Sequence, residues 1–99
     1  MSKTIKVSEL PDFDMAEHLE DDNAIADYLT VVMEENDPAL LAAALGDIAR
    51  ARGMGDIAKA AGIGREALYK ALRPGTSPRF DTVQRVCVAL GMRITVVPA

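Results

Sequence analysis

Apolar residues recur along this chain at intervals of three and four, the spacing that turns one face of an α-helix toward a core. Ile25, Tyr28, Leu29 and Val32 make the first clear stripe, set between Asp21 and Asp22 and a break at Asn36. The pattern predicts an amphipathic helix with an acidic outer face. Asp37 then offers a carboxylate to the free amides of a helix start, and Pro38 suits the first helical position, where no N–H is needed. Leu41, Ala44, Leu45 and Ile48 continue one stripe as far as Gly53, with Arg50 and Arg52 set against the negative end of the helix dipole. A third, shorter helix is predicted over residues 55–61 and a fourth between Gly64 and Pro74. A fifth over residues 80–90 buries Val83, Val86, Cys87 and Leu90 and stops at Gly91. The two ends differ: "KTIKV" at residues 3–7 and "MRITVV" at 92–97 are β-prone, and a lone terminal strand needs a partner. After Pro11, "DFDMAEHLEDD" reads as irregular chain or one helical turn capped by Asp14.

Composition agrees with an all-α reading. The chain has 99 residues, 49% of them hydrophobic and only 4% aromatic, enough for one core built from packed helices. It divides into an acidic segment and helix (1–36), a central helical unit (37–91) and the β-prone tail (92–99), all within one domain. A single cysteine excludes an internal disulfide, and no basic leader or long apolar run opens the chain, so a reducing cytoplasm and no membrane span are expected.

Charge changes the picture more. The formal net charge is −4 and the pI is near 4.8, but the charges are segregated. Residues 1–49 carry two lysines against twelve carboxylates, whereas residues 50–99 carry nine basic side chains against three acidic ones. The molecule is bipolar, and its net charge says little about what either half meets.

Within the basic half, "IAKAAGIGREALYKAL" has the form of a helix-turn-helix hairpin. Ala58 is the small residue where two helix backbones approach. Gly62 stands in the turn, where a positive φ is expected and a Cβ is costly. Ile57, Ala61, Ile63, Leu68 and Leu72 supply the contacts that lock the second helix on the first, which leaves Arg65, Glu66, Tyr69, Lys70 and Arg73 facing outward.

Residues 47–92 resemble the lambda repressor/Cro-type helix-turn-helix domain, with "LYKALR" fitting the end of its recognition helix. "DFDMAEHLEDDNAIADYL", "NDPALLAAALGDIARARGM", "GIGREALYKAL" and "FDTVQRVCVALGM", spread over residues 12–93, together resemble the addiction-module antidote family of HigA-like antitoxins. The resemblance implies an all-α, five-helix, lambda repressor-like fold. It also implies two functions: neutralising a RelE/HigB-like ribonuclease toxin, and repressing the shared operon by binding its operator DNA. Such toxins are typically basic, which suits an acidic half as their partner. Two positions depart from the family pattern. Gly64 replaces a usual serine cap, and Arg79 stands where threonine or serine usually caps the fifth helix.

On this reading Arg65, Glu66, Tyr69 and Lys70 face base edges, with Arg65 the candidate for a bidentate contact to guanine. Glu66 is expected to pair with Lys70 one turn on. Arg50, Arg52, Lys59, Arg73 and Arg79 are expected at phosphates, which position a domain without specifying sequence. One such domain makes few contacts, so a homodimer on an inverted repeat is expected, with the tail as a candidate dimer element or as an added strand on a toxin sheet. No cofactor, metal site or catalytic activity is indicated: His18 and Cys87 are single, Cys87 lies on a buried stripe, and Asp21 and Asp22 fit a helix start. A stand-alone phage-type regulator and a protein-interaction module are the competing readings.

Overall fold

A computed structural model describes residues 21–99, and these form five helices: α1 (Asp22–Glu34), α2 (Pro38–Arg52), α3 (Met54–Ala61), α4 (Arg65–Ala71) and α5 (Phe80–Ala89). The "KTIKV" segment, the turn proposed at Asp14, and His18 lie outside the described residues.

The helix starts follow from side-chain chemistry. Asp21 caps α1 by accepting from the Asn23 N–H at 2.9 Å, which accounts for the paired aspartates as a helix-start feature. Asp37 does the same for α2, accepting from the Ala39 and Leu40 amides at 3.0 and 3.3 Å, and Pro38 occupies the first turn as its spacing predicts. The chain reverses between these helices at Asn36, the one non-glycine among the described residues with a positive φ. α3 begins one residue earlier than its apolar pattern suggests, because Met54, next to the helix-breaking Gly53, is itself buried in the core.

The predicted stripes converge. Ile25, Tyr28, Leu29 and Val32 from α1, Ala44, Leu45 and Ile48 from α2, and Val83, Val86, Cys87 and Leu90 from the α5 region are buried together with Ile57, Ala58, Leu68 and Leu72. Each fully buried leucine, isoleucine or valine contributes about 1.5–3 kcal/mol relative to an exposed one. Leu41 sits at the edge of this cluster rather than inside it. α3 packs most extensively on α5, and α1 packs on α2. The outer ends of that second pair are joined by an ion pair from Arg52 to Asp22 at 2.6 Å.

The β-prone tail forms no strand. Gly91, with φ +79°, turns the chain so that the Met92 N–H reaches the Cys87 carbonyl at 2.8 Å. Met92 and Ile94 then pack against the core, while Val96 and Val97 remain exposed. Pleated pairing needs a second strand, and none of the described residues supplies one.

Candidate nucleic-acid interface

The hairpin of α3 and α4 is set by its turn. Gly62 adopts φ +71° and ψ +31°, in the left-handed region. Its N–H bonds to the Lys59 carbonyl at 3.2 Å and the Ile63 N–H to the Ala58 carbonyl at 3.0 Å, so the end of α3 is closed by a paired reversal that a Cβ would strain. Ala58 is buried as expected of the small residue at the crossing, Leu68 is fully buried and Ile63 is half-buried against the core. Together they seat α4 on α3.

A second close approach escapes the sequence pattern. Gly46, in the middle of α2, is buried, and a Cβ placed on it would lie 3.1 Å from the Leu72 carbonyl oxygen and 3.6 Å from the Leu72 Cβ. The end of α4 therefore rests on α2 where no side chain intervenes. A glycine inside an otherwise apolar helical stripe was the available signal. Thr76 was missed as well: its hydroxyl lies 3.0 Å from the Ala71 carbonyl and 2.6 Å from that of Arg73, so it donates to the end of α4. Gly64, by contrast, has an extended backbone with φ −61° and open space around it, so α4 starts without a side-chain cap.

The outward face of α4 carries Arg65, Glu66, Tyr69 and Lys70, all exposed. Arg65 and Tyr69 are one turn apart, and the guanidinium carbon lies 5.4 Å from the tyrosine ring centre. Glu66 and Lys70 do not close the ion pair that their spacing allows. In water such a pair is worth only a few tenths of a kcal/mol, too little to order two long side chains.

The five residues expected at phosphates fall into two groups. Lys59, Arg73 and Arg79 are exposed. Arg50 and Arg52 are engaged within the fold: Arg50 pairs with Asp47 on its own helix, and Arg52 with Asp22 of α1. Arg79 precedes α5 with no side-chain cap bond, as an arginine at that position should. On α5, Arg85 pairs with Asp81 at 3.3 Å.

The described residues define a class: an all-α arrangement of five helices of helix-turn-helix type, with a basic outer face on the fourth. A family model described as "Probable addiction module antidote protein" matches residues 9–98, and the chain belongs to that family. A protein of Haemophilus influenzae described as "Uncharacterized protein" is 49% identical over 88 residues, which span 89% of this chain and 91% of that one. No solved structure matches the chain. Membership carries the role of antitoxin in a toxin–antitoxin module, and so a toxin partner of some kind. Among the described residues no helix is long and apolar enough to cross a membrane.

Proposed function

We propose that this antitoxin is a non-enzymatic cytoplasmic protein that neutralises a RelE/HigB-like ribonuclease toxin and, as a homodimer, binds operator DNA to repress its own operon. The observation that carries the DNA half is the exposed set Arg65, Tyr69, Lys70 and Arg73 on and just after α4, a helix held by its two neighbours at Gly62 and Gly46. A helix fixed in that way presents side chains at a constant register, as insertion into a major groove requires. The acidic outer face of α1, with Asp27 and Glu34 exposed, supports capture of a basic toxin by electrostatic steering.

Two experiments test the two halves. Fragments of the chain's own promoter should be retained by purified protein at moderate salt, and retention should fall steeply as salt rises. No retention would leave a protein-binding role alone. Co-expression with a basic reading frame of RelE-like size adjacent to this gene should rescue growth and yield a complex on copurification. Growth arrest despite co-expression would exclude that toxin.

A further inference from the structure

Arg65 lies beside two neighbours that belong to different helices. On α4, the Tyr69 ring lies beneath its guanidinium at 5.4 Å. On α3, Gly55 has no side chain: a Cβ built there would stand 4.0 Å from the Arg65 Cδ, so the glycine leaves the arginine stem room to pass the start of α3. Among the described residues no carboxylate pairs with Arg65, and Tyr69 is 40% exposed. An exposed arginine ordinarily samples many rotamers, and fixing them on binding costs conformational entropy. Here Gly55 leaves the stem room and Tyr69 holds the head.

We infer that Tyr69 is a positioning residue that acts through Arg65, and that the Gly55–Arg65–Tyr69 arrangement is a preset reader of one guanine. The inference rests on the DNA-binding reading proposed above, and it reassigns Tyr69 from an independent base contact to a clamp. A guanidinium fork matches guanine O6 and N7 in a single plane, so holding that plane before encounter favours guanine over adenine, which offers one acceptor fewer. Tyr69 contributes its π-face, and its hydroxyl has no part in the arrangement.

The test begins on the free protein. Ring-current shifts of the Arg65 δ-protons in NMR spectra should be present in the wild type and in Tyr69→Phe, and lost in Tyr69→Leu. Absence of the shifts in the wild type overturns the clamp whether or not the protein binds DNA. Base preference is then measured by selection from random duplex DNA. Arg65→Ala should abolish the preference for guanine at one position. Tyr69→Leu should weaken it at that same position by about two- to fivefold, the range expected of an exposed cation–π pair, with an unchanged melting temperature. Tyr69→Phe should restore it, and Tyr69→Leu should have no further effect on specificity in the Arg65→Ala background. A change at a second base pair, additive losses, or a uniform loss across all sequences would each overturn the inference. Failure of the wild type to retain any DNA would instead strike at the DNA reading, a result separable from the NMR outcome.

Discussion

The buried Gly46 of α2 faces the Leu72 carbonyl at the end of α4 so closely that a Cβ would stand 3.1 Å from the oxygen. The two residues form the contact through which α2 sets the height of the candidate recognition helix. Gly46→Leu should cost about 2–3 kcal/mol through overpacking and lower DNA affinity by displacing α4. For Gly46→Ala, about 1 kcal/mol of helix propensity offsets the crowding, and the net change should stay within about 1 kcal/mol. Urea unfolding measures both, and a leucine variant as stable as the wild type would show that the contact is slack.

The turn and the cap should respond in opposite directions. Gly62→Ala places a Cβ in the left-handed region and should destabilise by about 1–2 kcal/mol. Gly64 has ordinary extended backbone and open surroundings, so Gly64→Ser should gain a few tenths of a kcal/mol by capping α4. Thermal unfolding of the two variants side by side gives the signs directly.

Salt dependence should sort the basic residues. Replacing Lys59, Arg73 or Arg79 with alanine should lower the slope of log affinity against log salt by about one for each that meets a phosphate. Arg50→Ala and Arg52→Ala should move the slope less, since both guanidinium groups already sit on carboxylates of Asp47 and Asp22. Equal changes for all five would mean that those ion pairs open on DNA.

Burial raises the pKa of the Cys87 thiol, and burial followed by the nearby Asp47 charge raises that of the Tyr28 phenol. The thiol should therefore resist a disulfide reagent in the folded chain and react at the rate of unfolding. Because both groups ionise more readily in the unfolded chain, stability is fully present below their ordinary thiol and phenol ranges. It should be lost as pH rises from those ranges up through the raised values of the folded chain. Denaturant midpoints measured at increasing alkaline pH check the direction, and a midpoint that rises would contradict it.

The tail offers a fifth measurement, on assembly. Val96 and Val97 are exposed while Ile94 is anchored to the core, so a chain ending at Thr95 keeps its fold and loses the unpaired β-prone end. Sedimentation should show a dimer for the full chain and a monomer for the shortened one. A dimer in both would place the subunit contact elsewhere.

The helices were legible because each buries a stripe whose spacing is set by helical geometry alone. Asp37, Pro38, Gly62 and Gly91 marked their ends by local chemistry that needs no tertiary partner. What sequence could not supply was anything decided between elements. Gly46 gives no sign of its partner until the fold brings Leu72 against it. Arg50 and Arg52 are expected at phosphates, and only the fold sets Asp47 and Asp22 beside them. Glu66 and Lys70 had the spacing of a pair without the energy to form one. For α4 itself, periodicity separates the buried Leu68 from the outward residues, but only the fold sets Arg65 over Tyr69 and beside the gap left by Gly55.

The reversal at Gly91 has a bearing on traffic at the protein's surface. It makes the tail a wall of two grooves that meet at Ile94, the other walls being α1, the start of α2 and α5, and none of the residues lining them belongs to α3 or α4. The outer face of α4 and the grooves beside the tail share no lining residue, so a small molecule seated in the grooves would touch none of the side chains offered to DNA.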